Sequence, residues 1–177
     1  MEEREDPELM RKVEELTEFG ELYRASRAVS HRGWHAGAEL GDRDGDGTML
    51  AYHDSGDEAE YVFRAGERPL FNIMNGGHGS PPDRYGYRVW TLRPGVAGSV
   101  GPRVGRLEVA GTDGEAVAAD IVAHTFAVNI DIGPRPRTMD EIFEWRAPEL
   151  TVRVFDKGDA VLYEGPLLTE DWSGERR

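Results

Sequence analysis

Between Ile121 and Ile132 the chain reads IVAHTFAVNIDI, with Val122, His124, Phe126, Val128, Ile130 and Ile132 at alternate positions and Thr125, Asn129 and Asp131 between them. Successive side chains of an extended strand point to opposite faces, so a period of two rich in β-branched residues predicts a long strand with one face in a core. A chain built on such a strand must supply partners for it. Further strands are predicted near Thr48 to Asp54, Glu60 to Arg64, Leu70 to Met74, Tyr85 to Leu92, Val104 to Ala110, Ala116 to Asp131, Glu149 to Asp156 and Ala160 to Glu164. Turn pairs such as Ser55 and Gly56, Asp113 and Gly114, and Lys157 and Gly158 favour antiparallel connections over helical crossovers. The expected fold is mainly β: an antiparallel two-sheet sandwich, first a jelly roll of about eight strands, with a closed β-barrel as the alternative.

One helix is expected. Asp6 followed by Pro7 reads as an N-cap with proline at the first helical position, and Leu9, Val13, Leu16, Phe19 and Tyr23 follow at helical spacing. The amphipathic pattern runs from Pro7 to about Val29, with Gly33 as its end and Ser30 to Gly41 as a loop. This divides the chain into an N-terminal tail, helix and loop over 1–41 and one β-sandwich domain over 42–177. A helix this long suits either its own sheet or a neighbouring subunit. Met139 to Trp145 is expected to form one short helical turn.

Charge narrows the partners. The 177 residues carry 34 Asp and Glu against 21 Lys and Arg, a net charge of -13, and the only lysines are Lys12 and Lys157. Such a surface repels phosphate backbones, which argues against nucleic acid as a partner. Self-repulsion of this size is relieved by salt, as a halophilic source would supply, although scarce lysine with abundant arginine also follows from a GC-rich genome. No cysteine is present, so disulfides, thiolate metal sites and cysteine nucleophiles are excluded. The start, MEEREDPELM, lacks the apolar core of a signal peptide, and no apolar run approaches the ~20 residues of a membrane span. An intracellular or virion location is expected.

Few residues suggest chemistry. Asp42, Asp44, Asp46 and the Thr48 carbonyl resemble the oxygen spacing of a calcium loop, but the twelfth position is His53 rather than Glu, and a strand rather than a helix follows. A bound calcium there is the one cofactor the sequence suggests. His31 and His35 stand four apart with Gly33 between them and no HExxH pattern. His78 sits in the glycine-rich loop Asn75 to Pro82, Gly95 to Pro102 reads as a flexible loop, and Gly133 to Arg137 is stiff and basic. His124, on the apolar face of the long strand, is the sharpest candidate for a general base or ligand, with His53, Tyr61, Phe63 and Trp90 as companions. Nucleophile-elbow, P-loop, dinucleotide and kinase motifs are absent from the sequence.

Two functions follow. The first is a structural, non-enzymatic protein, a β-sandwich subunit of a larger particle such as a virion capsid, associating with itself or a companion subunit through its helix and loops. The alternative is a small cupin-like barrel that binds or converts a small ligand or metal through an inward-facing His124.

Overall fold

The computed structural model describes residues 6–41, 46–74, 85–92, 95–111, 114–132, 138–144 and 149–168. Helix α1, Pro7–Ser26, begins as the sequence predicts: the Asp6 side chain accepts the Glu8 N–H at 3.0 Å, and Pro7 occupies a position whose N–H would be unpaired in any case. It stops earlier than expected. Arg27 turns left-handed (φ 59°) and returns its N–H to the Tyr23 carbonyl, which closes the last turn well before Gly33.

Ser30 to Gly41 is not a loop. It forms β1 (Ser30–His31) and β2 (Trp34–Gly41), joined by Arg32 and Gly33, both at positive φ, as a two-residue hairpin turn requires. Three strands follow, β3 (Gly47–His53), β4 (Glu58–Phe63) and β5 (Leu70–Met74), and the five make one antiparallel sheet in chain order.

The chain divides into two compact units, Met1–Gly37 with Asp42–Gly79, and Ala38–Gly41 with Ser80–Arg177. The core of the first is built by period two on the sheet and period 3.6 on the helix. Met49, Ala51, Ala59, Tyr61 and Phe63 present one sheet face to Leu16, Phe19 and Tyr23 of α1, with Trp34 buried among them. Gly20 sets the closeness of this contact. A Cβ there would stand 2.4 Å from Cε2 of the buried Tyr61, so the ring lies flush on the helix backbone only because no side chain intervenes.

The second unit holds two four-stranded sheets. Strands β6 (Tyr87–Thr91), β7 (Val96–Val100), β8 (Val104–Ala110), β9 (Ala116–Ala118), β10 (Asp120–Val122), β11 (Thr125–Val128), β12 (Thr151–Asp156) and β13 (Val161–Pro166) order as β10-β11-β7-β6 and β13-β12-β8-β9. The strand pairings of both sheets are antiparallel, and neither sheet closes into a barrel among the described residues, which overturns the barrel alternative. One buried cluster draws on both sheets: Val96, Phe126 and Val128 from one, Leu107, Val109, Val152 and Val154 from the other. At the surface of the latter sheet Arg153 lies opposite both Glu108 and Glu164 in register and pairs with each, at 3.4 and 3.1 Å. Helix α2, Met139–Glu144, opens on a capping box in which Thr138 Oγ1 accepts the Glu141 N–H and Glu141 accepts the Thr138 N–H.

Two sequence expectations fail in this unit. Ala116 to Asp131 is not one strand but β9, β10 and β11, because Ala123 adopts φ 53° and turns the chain back so that Val122 faces Thr125. Gly95 to Pro102 is not a flexible loop; it contains β7, buried along its whole length and flanked by β6 and β11.

Candidate functional site

The residues singled out for chemistry do not converge. His124 stands in the β10–β11 turn and is exposed, with its carbonyl accepting the Val100 N–H at 2.8 Å. The inward-facing His124 of the barrel reading is therefore wrong, and the cause is the turn at Ala123, which removes the residue from the strand face. Tyr61 and Phe63 belong to the core of the first unit, whereas Trp90 lies on β6 of the second and donates Nε1–H to Ser99 at 3.2 Å.

Of the aspartate loop, Asp42 and Asp44 lie outside the described residues. Asp46 accepts the Ala65 N–H at 3.2 Å, and Thr48 sits in β3 opposite Val62 with its side chain fully buried. Among the described residues no three His, Asp or Glu side chains are grouped as a metal would need. The Thr48 hydroxyl has no hydrogen-bond partner among the described residues. A buried hydroxyl without a partner costs about 1–3 kcal/mol, so Thr48→Val, which keeps the shape, is expected to stabilise the first unit by about 1 kcal/mol in denaturant unfolding. A loss of stability would show that the hydroxyl is satisfied in solution. His78 and Gly133 to Arg137 also lie outside the described residues.

The most organised polar constellation was not legible as such. It joins α1 to the β1–β2 and β3–β4 turns. From the helix, Glu18 Oε2 takes His31 Nε2 at 3.0 Å and Arg32 Nε at 3.4 Å, and Lys12 Nζ reaches Asp57 Oδ2 at 2.6 Å. The His31 contact, assisted by Arg32, holds the Glu18 carboxyl below its ordinary 4.5, while Asp57 raises the Lys12 ammonium above its ordinary 10.5. Between these two anchors lies His53. Its Nε2 faces the Arg32 carbonyl at 3.1 Å, its Nδ1 faces Ser55 Oγ at 2.8 Å and the Ser55 N–H at 3.1 Å, and Ser55 Oγ faces Asp57 Oδ2 at 3.2 Å. The order is His, Ser, Asp, so serine rather than histidine is central, unlike a Ser-His-Asp triad. His35 stands outside this chain, bonded to Asp54 at 2.7 Å and stacked on Tyr52.

A different feature marks the outer surface of α1. Leu16, Phe19 and Tyr23 are buried, yet Leu9 and Val13 of the same stripe are 45% and 38% exposed, with Met10 beside them at 46%. No helix among the described residues is long and apolar enough to cross a membrane. No known protein family, curated protein or solved structure matches the chain.

Proposed function

We propose that the chain is a structural subunit that acts through protein–protein contacts, and that its helix is a principal contact element. The exposed first half of the α1 stripe carries this reading. Leu9, Met10 and Val13 continue the apolar face that the first unit uses for its own core, and burial of such a face against a second chain is favourable by about 25 cal/mol per Å² removed from water. The partner is a second copy or a companion subunit. A particle such as a virion capsid is the form of assembly that fits best with a mainly β chain, and high salt would relieve the repulsion between copies of net charge -13.

The finer fold belongs to the same proposal. A shared buried cluster between two four-stranded sheets supports a sandwich for the second unit. Successive strands there pair as hairpins β6–β7, β8–β9, β10–β11 and β12–β13 within one sheet, which supports a plain sandwich over a jelly roll, where the chain alternates between sheets.

The test places charge on the exposed stripe. Leu9→Glu combined with Val13→Glu is expected to weaken association about tenfold or more, read as mass by light scattering, with the circular dichroism of the fold retained. Association unchanged by both charges would sink the role of α1.

A further inference from the structure

We infer that the open edge of β5 is a self-pairing surface, on which Leu70–Met74 joins antiparallel to β5 of a second copy of this chain about a twofold axis at Asn72. The inference goes beyond the α1 contact and does not rest on it.

A sheet edge left long and neutral is a template for another chain, and folded proteins ordinarily blunt it. The other edges here are blunted. β1 is two residues long, and β9 and β10 are three each. β6 carries Arg88 and an extra residue at Trp90, where its register against β7 shifts. β13 carries Glu164 and Pro166, with an extra residue at Leu162. β5 has none of these devices. It is five residues long, reads LFNIM, pairs with β4 without a shift, and has no strand beyond it among the described residues.

The direction of its free bonds follows from the sheet. His53 N–H donates to the Asp57 carbonyl at 2.8 Å, in the register that continues along β3 and β4. Bonded and non-bonded pairs alternate in an antiparallel ladder, so Ala59, Tyr61 and Phe63 bond to β3 while Glu58, Glu60 and Val62 bond to β5. Their partners Met74, Asn72 and Leu70 therefore face β4, and Phe71 and Ile73 present N–H and C=O to the open edge. No hydrogen bond among the described residues reaches these groups.

One register of self-pairing uses all of them. Centred on Asn72, it sets Phe71 opposite the partner's Ile73 and Ile73 opposite the partner's Phe71, each exchanging bonds in both directions. Centred on Phe71, it would set Ile73 opposite Pro69, which has no N–H; centred on Ile73, it would set Phe71 opposite Asn75, past the end of the strand. Phe71 and Ile73 are partly buried against the core of the first unit, with the Phe71 ring 5.0 Å from that of Tyr61. Pairing continues that apolar layer from one copy to the next. Charge favours a second copy as the occupant. Each chain carries a net charge of -13, yet this register sets no charged residue opposite another, because β5 has none. A charged peptide would gain no ion pair from such a strand.

Amide hydrogen exchange of the full chain, from dilute to concentrated protein in high salt, reads the pairing residue by residue. Leu70, Asn72 and Met74 are expected to be protected throughout, and Phe71 and Ile73 to gain about tenfold or more in protection only as the protein associates. Asn72→Lys sets like charges together on the axis while lowering the net negative charge, and is expected to weaken association about tenfold or more by light scattering. Ile73→Pro removes only an outward N–H and is expected to do the same, which covers the case in which the first variant fails to fold. Leu9→Glu with Val13→Glu is expected to leave the Phe71 and Ile73 response in place, so failure of the helix contact and failure of this one are told apart. Protection of Phe71 and Ile73 in the dilute monomer would mean that the chain covers its own edge, and overturns the inference. So does association that never protects them, or association unchanged in either variant with its circular dichroism retained.

Discussion

Phe126→Ala is expected to destabilise the second unit by about 3–5 kcal/mol, a large share of the stability of an ordinary domain. Phe126 is fully buried on β11, at the centre of the cluster to which both sheets contribute. Its loss leaves a cavity that neighbours on two sheets cannot collapse to fill without breaking strand register. Urea unfolding followed by ¹⁹F spectra of fluorotryptophan-labelled protein separates the units, since Trp90 lies in the second and Trp34 in the first. The Trp90 transition should move to lower denaturant. A shift below about 1 kcal/mol would place Phe126 at a boundary that water already reaches.

Gly98→Ala is expected to cost about 3 kcal/mol or more, although it adds only one methyl group. Gly98 pairs with Phe126 on one side and with Val89 on the other. A Cβ there would lie 1.9 Å from the Arg88 carbonyl oxygen and 3.0 Å from the Trp90 backbone nitrogen. Those atoms are backbone of β6 and cannot swing aside as a side-chain end would, so β6 must leave its place or the sheet must distort. The fluorine signal of Trp90, whose indole N–H binds Ser99 on the neighbouring strand, should shift or broaden even in the folded state. An unchanged signal with unchanged stability would mean that β6 sits farther from β7 than the close approach requires. Because Gly98 and Phe126 are cross-strand partners, the two substitutions are not expected to add.

Gly98 also explains what the sequence hid. In VAGSV the small residues read as flexibility, yet at Gly98 the neighbouring β6 backbone leaves no room for a side chain, and the strand is buried throughout. The same confusion conceals β2: Trp34, Ala36, Ala38 and Leu40 do alternate, but two alanines and two glycines mute the signal. Where side chains are large and punctuation is conventional, the reading succeeds. Asp6 and Pro7 mark the helix start, and β5 and β8 fall at Leu70–Met74 and Val104–Ala110 as expected.

The turn at Ala123 shows the opposite limit. Nothing in IVAHTF carries the Gly or Asn that a positive φ favours, so an unbroken alternation conceals a hairpin, and His124 is placed on the wrong face as a result. The constellation around His53 was illegible for a different reason. HDSGD reads locally as a turn, and only the tertiary arrangement brings Lys12 of α1 onto Asp57 and the Arg32 carbonyl onto the imidazole. The proposed function rests on an uncovered helix face, which is not a motif.

Absolute mass by light scattering after gel filtration, repeated from low to multimolar salt, tests the assembly reading most directly. A rise from monomer to a defined oligomer or particle as salt screens the net charge of -13 is the expected result, with Leu9, Met10 and Val13 protected from exchange in the larger species. A monomer at every salt concentration would contradict it.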